Sequence, residues 1–417
     1  MNLVALSCSG HESGVTFLVD GKLYETILEE RLTTIKKDKH LHQVFEKIGQ
    51  FHEKFGIDKI VATNGTDGDF IFTRESLEKF GITKNNVQYE EEWERHHLYH
   101  ATSGFYASGF DEAVCLVVDG WGADFRLLQL LEILGMNKGL SEDQQEQLED
   151  LDKWMFLETT SIYNLAYPCQ DELLYKNVLL PHPQPADFLV KDEAPYQWMK
   201  KIQESEIINC TPNYDVGMLY GLITRHLGFE DNEQCGKTMG LAGYGKRNPK
   251  LPDYILNNGL TDMNFAFSDM KVNTYNFPSM EHYGDFQHRA DIAYKLQKHT
   301  EDIFVMRINQ IIKMKPDVKN IVFSGGCALN ICANSVIQEF FPDINFYVDP
   351  VAGDACQSYG AAKYFYYKET GSMMKDPLTT TYFGPRPPSP PVLKKQIEFE
   401  VAKHNEMRYT DESRRKK

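Results

Sequence analysis

The run Ala113-Val114-Cys115-Leu116-Val117-Val118 is apolar at every position and stops at Asp119-Gly120. A strand with one wet face alternates polar and apolar residues. One that does not alternate is covered on both faces, as strands inside an α/β sheet are. A second strand of this kind, Asn320-Ile321-Val322-Phe323-Ser324, stops at Gly325-Gly326. Each follows a helical pattern: Arg95 to Ser108, with Leu98, Ala101 and Phe105 inward, and His288 to Lys313, with Ile292, Leu296, Ile303, Met306 and Ile311. Alternating strands and helices predict an α/β layered fold.

Residues 3–7 read as a short strand. Gly14–Val19, the turn Asp20-Gly21 and Leu23–Leu28 read as a hairpin, because Asp-Gly between β-rich runs favours a tight turn. Lys59–Thr63 reads as a strand after a helix near Val44–Phe55. Leu329–Phe340 reads as a helix and Asn345–Val348 as a strand. Residues 126–210 are expected to form an insertion outside the central sheets. They contain the acidic stretch Ser141–Glu146 and the broken run Pro181-His182-Pro183-Gln184-Pro185. Gly384-Pro385-Arg386-Pro387-Pro388 can be neither helix nor central strand.

The eight cysteines form no CxxC pair, so they read as reduced, mostly buried thiols of a cytoplasmic protein. The start has no basic region ahead of a long apolar stretch, and no run approaches 18 apolar residues, so neither a secretory signal nor a membrane span is expected. A formal charge of -16 argues against a broad electrostatic grip on nucleic acid or membrane.

Five short segments carry chemistry. On a helix, His96 and His100 share a face and can reach one metal ion, whereas His97 points elsewhere; histidines at the surface or at a helix cap are the rival reading. Asp119, at the end of a buried strand, completes a set that suits a divalent transition metal. Ser324-Gly325-Gly326-Cys327-Ala328-Leu329-Asn330 is either a phosphate-approaching turn or a plain strand-to-helix turn. Asp354, in Asp349-Pro350-Val351-Ala352-Gly353-Asp354, reads by itself as a helix cap. Tyr359-Gly360-Ala361-Ala362 reads as a tightly packed helix start. In Ser9-Gly10-His11-Glu12-Ser13-Gly14, His11 is a general acid–base or a turn histidine. Gly236 to Lys246 is glycine-dense and lacks phosphate-loop spacing, so it is expected to be a mobile or ligand-approaching loop.

In this order the segments resemble the O-carbamoyltransferases that modify nodulation factors and antibiotics. The match rests on His11-Glu12-Ser13 with Glu29-Glu30-Arg31, on His96-His97-x-x-His100, and on Val118-Asp119-Gly120-Trp121-Gly122. It also rests on Lys237-x-Met239-Gly240-Leu241-Ala242-x-Tyr244-Gly245, and on Gly325-Gly326-x-Ala328-Leu329-Asn330 with Ala352-Gly353-Asp354-Ala355.

The resemblance implies a duplicated, two-lobed actin/Hsp70-like fold, related to that of the enzymes making threonylcarbamoyl-adenosine in tRNA. It implies an iron-type metal held by His96, His100, Asp119 and Asp354. It places Gly325, Gly326, Asn330 and Ser13 at ATP or carbamoyl-adenylate, and His11 beside the transfer site. The implied layout is a first lobe at 1–125, an insertion at 126–210, a second lobe at 211–380, and a Pro-rich linker with charged tail at 381–417. Glu12 stands where the family has Asp, and Gly243 where it has Pro. Residues 381–417 reach only the start of the family's carbamoyl-adenylating domain, so a separate protein is expected to supply carbamoyl-adenylate. The expected acceptor is a hydroxyl of a small molecule, or of a modified nucleobase. A nucleotide-binding regulator on the same fold is the alternative.

Overall fold

The computed structural model describes residues 1–8, 12–36, 38, 40–65, 67–92, 94–151, 155–179, 194–211, 214–229, 234–251 and 285–381. Five strands, β1 (Asn2–Ser7), β2 (Gly14–Val19), β3 (Lys22–Leu28), β4 (Lys59–Thr63) and β5 (Gln88–Glu92), form a sheet in the order β3-β2-β1-β4-β5. β1 and β3 run antiparallel to β2 between them, whereas β4 pairs parallel with β1 and β5 parallel with β4. The hairpin turns where expected. Asp20 (φ 50°) and Gly21 (φ 79°) both take the positive φ that a tight two-residue turn requires.

A second sheet contains β6 (Glu112–Val118), β7 (Asp124–Arg126), β8 (Met155–Ala166), β9 (Gln170–Leu179), β10 (Ile208–Thr211), β11 (Asn320–Ser324) and β12 (Asn345–Val348). Its order is β10-β9-β8-β6-β11-β12, with β7 paired to β8. Without β10 and β7, this repeats the first sheet strand for strand: β6, β8 and β9 are antiparallel neighbours, while β11 and β12 are parallel to β6. The duplicated order, which no sequence repeat announces, is that of the actin/Hsp70-like fold.

Two helices, His96–Ser108 and Gln357–Thr370, lie between the sheets. One core cluster joins Leu3, Ala5 and Val61 of the first sheet, Tyr99, Phe105 and Tyr359 of the helices, and Cys115, Val117 and Val322 of the second. The alternate residues Val4, Leu6 and Ile60 face outward onto the helix His42–Phe55. Val114, Leu116, Ile321 and Phe323 face the helices Phe286–Met314 and Ile331–Phe340. Period-two alternation thus covers both faces of each sheet, and each fully buried aliphatic side chain contributes about 1.5–3 kcal/mol. The sandwiched helices touch through Gly360, where a Cβ would lie 2.0 Å from the Tyr99 carbonyl oxygen.

Three expectations need correction. Residues 126–210 are no insertion: they supply β8, β9 and β10 of the second sheet. β8 does not read as a core strand because it buries Glu158, Thr159, Thr160 and Ser161, whose polarity is matched by Lys176, Asp215 and His97 from other elements. The boundary at 125 also fails, because β6 pairs with β8 and β11 rather than with the first sheet. The glycine-dense stretch is mostly the helix Cys235–Ala242, not a loop. Its face bearing Cys235, Met239 and Ala242 packs into a core shared with the helix Val216–His226, and Thr238 Oγ meets Thr224 Oγ at 2.8 Å. The Pro-rich segment and tail at 382–417 lie outside the described residues.

Candidate metal centre

The helix His96–Ser108 is buried over nearly its whole length, so its polar residues must find partners inside. His96 and His100, one turn apart, turn their Nε2 atoms to one point, with ring centroids 5.0 Å apart. His97 faces away and meets Ser161 Oγ at 2.9 Å through Nδ1. Asp119 enters from the end of β6. Asp354 enters from the turn Asp354–Cys356 after β12. Parallel strands end on the same edge of a sheet, which is why two carboxylates distant in sequence meet here.

One ligand atom from each of His96, His100, Asp119 and Asp354 lies within 4.8 Å of the other three, and all four residues are buried. His96 Nε2 is 3.1 Å from Asp119 Oδ2 and 3.6 Å from Asp354 Oδ1. His100 Nε2 is 3.3 Å from Asp354 Oδ1 and 3.6 Å from Asp119 Oδ2. Burial would raise the Asp119 pKa, yet hydrogen bonds from His100 and His96 hold it well below the usual carboxylate range. Burial would likewise lower His100, but Asp119 and Asp354 lift it to about 10. Two imidazoles and two carboxylates so arranged are a donor set that fits a divalent transition metal.

Further partners fix the ligands. His96 Nδ1 faces Asn64 Oδ1 at 3.1 Å, which leaves Nε2 toward the cluster. The Gly326 N–H donates to Asp119 Oδ1 at 3.0 Å. Gly325 has φ 86°, and a Cβ there would lie 2.5 Å from the Val118 carbonyl oxygen, so the turn closes on β6 only with glycine. The Asp354 N–H donates to Glu12 Oε1 at 3.0 Å.

The residues expected at nucleotide are divided. Gly325 and Gly326 adjoin the cluster through Asp119. The Asn330 side chain instead caps the helix Ile331–Phe340, accepting from Ala333 N at 3.0 Å, and exchanges hydrogen bonds with Gln297. Ser13 is buried, and its carbonyl accepts from Glu29 N at 3.0 Å. Glu29, also in a motif, caps the helix His42–Phe55 through Gln43 N and Val44 N. His11 lies outside the described residues.

Sequence reasoning missed Asn64 and Gln357. Gln357 Nε2 is 2.8 Å from His100 Nε2, 2.9 Å from His96 Nε2 and 3.2 Å from Asp354 Oδ1. The signals were faint: Asn64 directly follows β4, and Gln357 stands three residues after Asp354.

Residues 162–363 match the Carbamoyltransferase N-terminus family. An uncharacterised protein of Synechocystis sp. is 27% identical over 317 residues, covering 70% of this chain and 40% of its own length. An uncharacterised protein of Methanocaldococcus jannaschii is 30% identical over 177 residues, covering 41% of this chain and 29% of its own length. The chain thus spans well under half of these relatives. Among solved structures, HypF of T. kodakarensis aligns with a TM-score of 0.47 at 15% identity, over 90% of this chain and 49% of its own. Component A of (R)-2-hydroxyglutaryl-CoA dehydratase from Acidaminococcus fermentans aligns at 0.42 and 12%, over 88% and 98%. Among the described residues no helix is long and apolar enough to cross a membrane.

Proposed function

From the premise that residues 162–363 belong to the carbamoyltransferase N-terminus family, we propose that this chain carries the transfer site of an O-carbamoyltransferase. The donor is carbamoyl-adenylate, made from ATP and carbamoyl phosphate, and the acceptor is a hydroxyl of a small molecule or modified nucleobase. The observation that supports this most is the convergence of His96, His100, Asp119 and Asp354 beside the Gly325-Gly326 turn.

In this reading those four side chains hold iron(II) or a similar divalent ion. Such an ion would polarise the carbamoyl carbonyl and orient the donor. The Gly325-Gly326 turn approaches phosphate, and Asn330 fixes the start of the helix that follows it. Asn64 holds the His96 ring, and Glu12 holds the turn bearing Asp354. His11 takes the proton of the acceptor hydroxyl as its oxygen bonds to the carbamoyl carbon and AMP departs.

The test is transfer of labelled carbamoyl from carbamoyl phosphate, with ATP and a carbamoyl-adenylate-forming enzyme supplied, into a panel of hydroxylated acceptors. Stable label in an acceptor, dependent on this chain and lost in His100→Ala, is the expected result. Nucleotide binding with no transfer to any acceptor would contradict it and favour a regulatory nucleotide-binding protein.

A further inference from the structure

Residues 119–123 link β6 to β7 and carry Trp121 at their centre. Their backbone is fastened on both sides of that residue. Asp119 N donates to the Thr159 carbonyl at 3.1 Å, Gly122 N to the Glu158 carbonyl at 2.7 Å, and Glu158 N to the Ala123 carbonyl at 3.0 Å. The flanks are closed as well. A Cβ on Gly217 would lie 2.1 Å from the Asp119 carbonyl oxygen, and one on Gly122 would lie 2.6 Å from His97 Cδ2 and 2.7 Å from Glu158 Oε2. Lys176 Nζ in turn holds the Glu158 carboxylate. The link therefore has one shape, set by its neighbours.

Between these closed contacts the link is open. A Cβ on Gly120 would meet nothing within 4 Å among the described residues, and Trp121 is 58% exposed. Indole is a large, mainly apolar surface that folded chains usually cover. Its exposure here is not fraying, because the backbone before and after it is paired. Two residues separate Trp121 from the candidate ligand Asp119, so their Cα atoms are no more than about 7 Å apart. An exposed ring on a fixed support, with open space at Gly120, thus adjoins the metal centre.

We propose that Trp121 is the platform on which a ring-bearing acceptor rests while its hydroxyl is carried to the metal centre. It is then a specificity-determining residue for the transfer reaction proposed above, on which this inference rests. A nucleobase stacks on indole through its π-face, and a sugar lays its C–H face on the same surface. Gly120 and Gly122 on either side add no side chain, so the link offers the area of one ring. That suits a small ring and falls far short of the roughly 800 Å² that each partner of a stable protein interface buries.

The experiment titrates methyl β-D-glucoside, 5-hydroxymethyluracil and acyclic glycerol into the full chain, read by ligand-observed NMR and by indole fluorescence. One of the two ring probes should bind the wild type and quench its fluorescence, and which one does so tells sugar from base. Trp121→Ala should weaken that binding about tenfold, and Trp121→Phe should keep most of it. Both variants should match the wild type in metal content. Ring binding that Trp121→Ala leaves unchanged, or a wild type that binds neither ring, would overturn the platform. So would loss of metal in Trp121→Ala, which would make the residue a support of the centre. Self-association of the wild type that Trp121→Ala abolishes in sedimentation velocity would also overturn it, making the ring a protein contact. Ring binding that depends on Trp121, with no carbamoyl label passed to that ring, would count against the transfer reading while the ring site stands.

Discussion

At the scale of the residue, burial decides what each polar group can do. Asp215 is buried at the entrance to the helix Val216–His226, and its Oδ1 accepts from Val216 N at 2.8 Å. Its Oδ2 accepts from Thr160 at 2.6 Å, Asn177 at 3.1 Å, Thr159 at 3.2 Å and Arg307 at 3.4 Å. Burial would raise its pKa, but the Arg307 charge and these donors keep it below the ordinary carboxylate value. A carboxylate depressed on folding stabilises the fold above its unfolded pKa, near 4, and loses that contribution as pH falls through the folded value. Asp215→Ala leaves Arg307 uncompensated and should cost about 3–5 kcal/mol at pH 7, measured by urea denaturation. The gap between wild type and variant should narrow below about pH 4. A gap constant over that range would show that the carboxylate's charge is not what Asp215 contributes.

At the scale of the element, the centre depends on two helices brought close enough for ligands from both to meet. Gly360 permits that approach, so Gly360→Ala should cost about 1–3 kcal/mol through overpacking, read as a lowered Tm. The same variant should weaken metal binding, because His96 and His100 ride on one helix and Asp354 immediately precedes the other. Unchanged stability and metal binding would show that the helices can separate freely. Elements were legible in the sequence where burial and hydrophobicity coincide. β6 from Ala113 to Val118 and β11 from Ile321 to Phe323 are wholly apolar and were read directly. β8 was not, because its interior Glu158-Thr159-Thr160-Ser161 reads as a polar exterior until Asp215, Lys176 and His97 are seen facing it. The site follows the same rule. His96 and His100 show themselves by helical spacing, whereas Asn64 and Gln357 join the cluster only through folding.

At the scale of the whole molecule, the chain repeats one five-stranded order twice and places its buried polar cluster at the ends of β6 and β12, against the helices between the two sheets. Non-local pairing sets this plan, which is why no sequence repeat reveals it and why the lobe boundaries were misread. The central claim is that His96, His100, Asp119 and Asp354 hold a divalent metal. The most direct test is the metal content of the full chain purified anaerobically, wild type beside His100→Ala. We predict about one iron-like ion per chain in the wild type, retained through gel filtration and lost in the variant, as expected of a closed four-ligand set. A wild type that holds no metal after reconstitution, or a variant that holds as much as the wild type, would contradict the account.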